Sequence, residues 1–307
     1  MSKKNNLKFN NKILVILGPT ASGKTKLSLK LAKKYNGEIV SADSRQVYIG
    51  MDIGTGKDLK EYGKIKYHLI DVADPKINFN LAHYQKLAYY AIDNILSRDK
   101  LPIIVGGSGL YLQSIVDGYK LSKTKPNKKL RENLEKLNVQ KLYIILKKIN
   151  PTKFSKLNNS EKNNKRHLIR YIEVARSKYN NEVSVKKYNS LVFGINLSKE
   201  ILYKRIYTRL ISRLEKENMI SEVINLRKKG ISFKKLINFG LEYKYISLYL
   251  KKEISYSEMI EKLFIAIRQF AKRQMSWYRR WEKQGRKIYW LKEKNEAEKL
   301  LKNFIKQ

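Results

Sequence analysis

The chain has 307 residues, of which 42% are hydrophobic and none is cysteine, and it carries a net charge of +39. That length supports a sizeable core in one or two domains; the lack of cysteine excludes disulfides and thiolate metal sites and suits a reducing cytoplasm. No apolar run approaches the roughly 20 residues that a membrane helix needs, and Met1–Asn11 is polar with no apolar h-region, so no membrane partner and no secretory leader are expected.

A charge of this size points to a polyanionic partner such as nucleic acid. Lysine, asparagine, isoleucine and tyrosine are all abundant, however, as AT-rich coding would also produce. The charge therefore weighs only where basic and aromatic residues converge on a site.

The first element is a buried strand, Ile13–Leu17, running into Gly18-Pro19-Thr20-Ala21-Ser22-Gly23-Lys24-Thr25. This is the complete G-x-x-x-x-G-K-[ST] phosphate loop, followed by a helical apolar pattern at Leu27, Leu31 and Ala32. Backbone amides and the positive end of the following helix cradle a phosphate or pyrophosphate. Lys24 reaches the outer phosphate and the Thr25 hydroxyl holds a magnesium ion; the molecule carrying the phosphate stays open at this point.

Glu38–Ala42 reads as a strand ending at Asp43, and Lys66–Ile70 as another ending at Asp71. A helix is predicted over Leu81–Leu96, with apolar positions at Leu81, Tyr84, Leu87, Ala88, Ala91, Ile92 and Ile95. Pro102–Val105 is a fourth strand, broken by Gly106-Gly107-Ser108-Gly109. In open parallel sheets ligands bind beyond the carboxyl ends of the strands, so the loop, Asp43 and Gly106–Gly109 should line one crevice. Asn127 to Tyr188 is helical, lysine-rich and nearly free of glycine. Ser190–Ile195 returns a strand to the core, helices follow from Ser198 to about Arg280, and Lys292–Gln307 is a short charged helix. The fold class is α/β: a P-loop parallel sheet (residues 1–125), an inserted helical subdomain (126–188), then the return strand and C-terminal helices (189–307).

No aspartate follows the strand ending at Val105, where a nucleotide-hydrolysing protein usually carries its magnesium ligand. Asp43 could serve as a helix cap or an ion-pair partner. Yet Asp43-Ser44-Arg45-Gln46 concentrates an acceptor, a hydroxyl, a guanidinium and an amide, the groups that read base edges, so we read it as functional. On the helix near the C-terminus, Phe270, Trp277 and Trp281 recur on one apolar face. Arg268, Lys272, Arg273 and Gln274 spread over another, a mixture suited to phosphate contact and base stacking. Arg205 and Arg209 lie one turn apart and either face the phosphate cavity or cap carboxylates.

Together these blocks resemble the bacterial tRNA dimethylallyltransferases, also called tRNA isopentenyltransferases, along nearly the whole chain. The resemblance rests on Gly18–Thr25, Ser41–Tyr48, Gly50–Thr55, Gly106–Tyr111, Arg170 with Glu173, Gly240–Lys244 and Ala271–Gln274, in that order. It implies that the loop holds the diphosphate of dimethylallyl diphosphate. The acceptor would be N6 of adenosine 37, in the anticodon stem-loop of tRNAs reading codons that start with U. The products would be N6-(dimethylallyl)adenosine and diphosphate. Asp43 would take the proton of the weakly nucleophilic amine, while Lys24, Thr25 with Mg2+, and Arg209 would stabilise the leaving diphosphate. RNA contacts would come from Asp43, Ser44, Arg45, Gln46, Ser108, Arg166, His167, Arg170, Gly240, Tyr243, Lys244, Lys272, Arg273 and Gln274, with the helical insert serving tRNA. His167 stands where the family commonly has arginine, and Gly240-Leu241-Glu242-Tyr243 is a variant of its glycine-tyrosine motif. A cytoplasmic monomer is expected. The rival readings are a P-loop nucleotide kinase and a non-catalytic RNA-binding ATPase.

Overall fold

In the computed structural model, which describes residues 9–119, 121–122, 124–177, 185–292 and 295–307, strand β1 (Lys12–Leu17) is buried along its whole length. Ile13, Val15 and Leu17 enter one core, and Leu14 and Ile16 enter another on the opposite side. Side chains alternate across a strand, so a run that is apolar throughout needs cover on both faces. The flanking strands are β2 (Gly37–Ser41), β3 (Tyr67–His68), β4 (Leu101–Gly106), β5 (Asn189–Ile195) and β6 (Tyr289–Leu291). Among the described residues they form one sheet in the order β3-β2-β4-β1-β5-β6, parallel at every pairing. This is the expected α/β class.

Two strand expectations change. The strand predicted over Lys66–Ile70 shrinks to two residues, because Leu69 (φ 64) and Asp71 (φ 55) turn out of extended backbone. Asp71 then pairs with buried Lys57, which also contacts Asp52 at 2.6 Å. β6 has no counterpart in the sequence reading: three residues carry no usable alternation. It forms by pairing with β5, where Gly194 leaves room for Trp290; a Cβ there would lie 2.4 Å from that ring.

Helices α1 (Lys24–Lys34), α2 (Leu81–Leu96) and α3 (Gly109–Val116) alternate with the strands. Helix α2 matches the predicted span, and its first turn is capped by Asn80, whose side chain accepts from the His83 amide. Contacts divide the chain into two compact units, Met1–Gly118 with Lys186–Gln307, and Tyr119–Val185. The second holds α4 (Lys128–Glu135), α5 (Val139–Ile149), α6 (Pro151–Ser155), α7 (Asn159–Lys162) and α8 (Lys165–Ala175). Each of these helices starts at an asparagine cap: Asn127, Asn138, Asn150, Asn158 and Asn164. Leu134, Leu142, Leu146, Phe154, Leu168 and Ile172 form that unit's own core.

The first unit continues with α9 (Lys199–Glu215), α10 (Met219–Lys228), α11 (Phe233–Phe239), α12 (Leu241–Leu250), α13 (Tyr256–Lys283) and α14 (Glu296–Lys306). The buried stripe of α13 is Met259, Leu263, Ile267, Ala271, Gln274, Tyr278 and Trp281. Phe270 and Trp277, expected on that face with Trp281, flank it instead and are only partly buried. A helix repeats every 3.6 residues, so polar Gln274 shares the buried stripe that an aromatic-only reading passes over. No helix among the described residues is long and apolar enough to cross a membrane. Residues 1–8 of the N-terminal reading, 178–184 of the insert and 293–294 of the tail lie outside the described residues.

Candidate active site

The phosphate loop emerges from the carboxyl end of β1 and turns through Ala21 (φ 60) and Gly23 (φ 94) into α1. Lys24 Nζ donates to the Pro19 carbonyl at 2.7 Å. Burial lowers the Lys24 pKa to about 7, helped by the charge of Arg209 and opposed by Asp43. The Arg209 guanidinium on α9 donates to the Thr20 hydroxyl. Burial and neighbouring Arg213 push Arg209 down to about 10, against the pull of Glu242, Asp58 and Asp43.

Asp43 follows β2, and its Oδ1 accepts from the Arg45 amide at 2.9 Å. The turn is tied to the end of β4, because Ser108 Oγ accepts from the Ser44 amide at 2.9 Å. The close approach has a sequence cause: a Cβ on Gly106 would lie 2.1 Å from the Ala42 carbonyl oxygen, so only glycine fits there.

Two cavities meet at Thr20, Asp43, Thr55, Arg209 and Phe270. The smaller, about 290 Å³, is walled by Thr20–Thr25 of the loop with Asp58, Arg205 and Gln274. The larger, about 420 Å³, is walled by Ser44, Arg45, Arg213, Phe239, Gly240, Glu242, Tyr243, Lys244 and Arg273. Asp43 thus lines both the cavity at the phosphate loop and the larger one beside it.

Arg205 and Arg209 both face the phosphate cavity. Gly18 and Pro19 contribute carbonyls: Tyr278 donates to Gly18 at 3.3 Å, and Lys24 to Pro19. Several residues expected at the RNA are committed inside the protein. Gln274 is buried, its Oε1 accepting from the Thr20 amide and its Nε2 donating to the Gly107 carbonyl. Gln46 bridges Ser41 and the Gly56 carbonyl. The Tyr243 hydroxyl donates to Glu222, whose carboxylate also accepts from the amides of Asp52, Ile53 and Gly54. Lys272 and Arg273 are exposed on α13. Arg166, His167 and Arg170 lie on α8 in the helical unit. There Arg166 and His167 are exposed, while Arg170 pairs with buried Glu173.

The profile of IPP transferase matches residues 46–281. The chain belongs to the IPP transferase family. It is 44% identical to tRNA dimethylallyltransferase 1 of Geotalea uraniireducens (strain Rf4) over 280 residues, 91% of this chain and 92% of that protein. Identity to the tRNA dimethylallyltransferase 1 of Geotalea daltonii is 46%, covering 91% and 90%. The crystal structure of the full-length tRNA isopentenylpyrophosphate transferase from Bacillus halodurans is similar at a TM-score of 0.69 and 34% identity, covering 97% of this chain and 96% of that one. A eukaryotic dimethylallyltransferase acting on tRNA is similar at a TM-score of 0.75 and 27% identity, covering 87% and 70%.

The sequence reading missed three residues of this family member's chamber: Asp58, Arg213 and Glu242. Arg213 was within reach, since it continues the spacing of Arg205 and Arg209 by one more turn, and it pairs with Asp58 at 3.3 Å. Asp58 gave no such signal, because it reaches its cavity only through the path of its loop; Glu242 stood inside the Gly240–Lys244 block, but nothing there marked its carboxylate as facing a cavity.

Proposed function

We propose that this IPP transferase is a tRNA dimethylallyltransferase that joins the two cavities in one reaction: dimethylallyl diphosphate at the phosphate loop, and the N6 amine of an extruded adenine in the larger cavity. The observation that carries this reading is the position of Asp43, common to both linings. The N6 lone pair attacks C1 of the dimethylallyl group as the C1–O bond breaks, and that electron pair leaves with the diphosphate. Asp43 accepts the amine proton as the new C–N bond forms, which an aryl amine requires. Loop amides, Lys24 and Arg209 stabilise the charge that builds on the leaving group. The target base has to leave its stack, at a cost of a few kcal/mol, and contacts in the cavity offset that cost.

Mg2+ fits this donor set. No cluster of three or more acidic or histidine ligands exists among the described residues. Thr25 nevertheless lines the phosphate cavity, and magnesium keeps several waters and needs few protein oxygens when substrate phosphates complete its shell. It would supply charge stabilisation at the leaving diphosphate. The RNA-facing residues in this reading are Asp43, Ser44, Arg45, Lys244, Lys272 and Arg273, with Arg166 and His167 of the helical unit. The finer assignments belong to the same proposal: adenosine 37 of the anticodon stem-loop, a monomer, and action in the cytoplasm.

The test is incubation with unmodified tRNA, labelled dimethylallyl diphosphate and magnesium, without ATP. Label transferred to tRNA is the expected result. ATP-dependent phosphate transfer with no label in tRNA would instead support a kinase.

A further inference from the structure

The larger cavity carries charges that reading a neutral base does not require. Arg45, Arg209, Arg213, Lys244 and Arg273 line it. The amide end of α12 opens onto it at Gly240 and Leu241, with no side-chain cap. Cations and uncapped helix amides together attract phosphate. Left to these groups alone, the cavity would compete with the loop for diphosphate and would trap RNA phosphates where a base must enter.

Glu242 opposes that tendency. Helix α11 ends at Phe239 and α12 begins at Leu241, and the single-residue joint turns through Gly240 (φ 78) and Leu241 (φ 43). A leucine in this conformation is strained and persists only where its surroundings hold it. The turn brings Glu242 to the cavity wall beside Asp43, Arg209 and Arg213. Burial, with the charge of Asp43, raises its pKa on balance, while its own backbone amide, Arg213 and Arg209 pull against that rise.

We propose that Glu242 is a specificity-determining residue that bars phosphate from the larger cavity, so that this chamber takes an uncharged base and diphosphate binds only at the loop. The proposal rests on the reading that the loop cavity takes the diphosphate. Removing one negative charge beside two arginines favours any anion entering there, so the sign of the effect is set by Coulomb's law.

The experiment is initial-rate kinetics with inorganic pyrophosphate as inhibitor, on the full-length wild type and on Glu242→Gln, Glu242→Ala and Glu242→Asp. In the wild type, pyrophosphate should compete with dimethylallyl diphosphate and not with tRNA. In Glu242→Gln and Glu242→Ala it should compete with tRNA as well. Excess dimethylallyl diphosphate should inhibit these variants at concentrations about tenfold below wild type, with relief by added tRNA. Glu242→Asp, which keeps the charge, should restore the wild-type pattern. Wild-type inhibition patterns in both neutral variants would overturn the proposal, whatever happens to kcat. Pyrophosphate that fails to compete with dimethylallyl diphosphate in the wild type would instead sink the loop reading itself.

Discussion

The Thr20 amide, inside the phosphate loop, donates at 2.9 Å to Gln274 Oε1 on α13, 254 residues away. The other end of the same amide side chain donates to the Gly107 carbonyl at 3.0 Å. One buried glutamine therefore sets the spacing between the loops that follow β1 and β4. Replacing it by leucine keeps most of the volume but takes the partner from the part-buried Thr20 amide, while the Gly107 carbonyl keeps the Tyr278 hydroxyl at 3.0 Å, so the cost is roughly 1–3 kcal/mol in all. Gln274→Leu should lower the thermal midpoint and weaken pyrophosphate binding together; an unchanged midpoint would show that the bridge contributes nothing.

Asp43→Ala should lower single-turnover rates by about 100-fold or more while tRNA affinity changes little, since the lost proton transfer acts in the transition state. A variant that turns over at near-normal rate would remove Asp43 from the role of base.

Lys24 yields a pH dependence with a defined sign. With its pKa lowered to about 7, the lysine is charged below that pH and loses its proton above it. A bound diphosphate favours the charged form, so binding above pH 7 takes up a proton. Affinity for pyrophosphate, corrected for the ligand's own titration, should fall by up to about tenfold per pH unit above 7. Calorimetry in two buffers of different ionisation enthalpy measures the uptake directly. The dependence should vanish in Lys24→Met; a flat wild-type profile would contradict it.

In the helical unit, Glu173 is buried beneath Arg131 and Arg170. Burial alone would raise its pKa, but hydrogen bonds from Arg131, the Asn127 amide and Arg170 outweigh that and hold the carboxyl at about 2. A carboxyl depressed on folding contributes stability above its unfolded pKa near 4.5 and loses it as pH falls toward 2. Both arginines stay about a third exposed. Glu173→Gln should therefore cost about 2–3 kcal/mol, below the value for a fully buried pair. The loss should shrink between pH 4.5 and 2; denaturant melts across that range report it.

Binding of tRNA should weaken steeply with salt, because each phosphate neutralised by lysine or arginine releases a counterion. The logarithm of the affinity plotted against that of salt concentration gives the slope; a flat line would rule out a phosphate-tracking surface on this +39 chain.

The phosphate loop, Asp43 and the α/β class were legible because each has a local cause: a fixed spacing, a strand end, an alternating order of elements. The span of α2 came from apolar periodicity and agreed with the structure. Asparagine abundance reads as compositional bias, yet five of these residues cap the helices α4 to α8. Caps of this kind contribute roughly 1 kcal/mol each. Gln46, Tyr243 and Gln274 could not be sorted from RNA contacts, because an amide or hydroxyl looks the same in sequence whether it faces solvent or another part of the chain.

The amino-acid order by itself determined that a phosphate loop follows the first strand and that Asp43 follows the second, since both rest on local pattern within a few residues of a strand end. Only the folded chain decided that two cavities converge on Asp43, that Arg213 and Glu242 belong to the site, and that Gln274 is spent on holding loops. Those depend on groups brought together from segments up to 254 residues apart, and burial and electrostatics at such distances are properties of packing that no local pattern encodes.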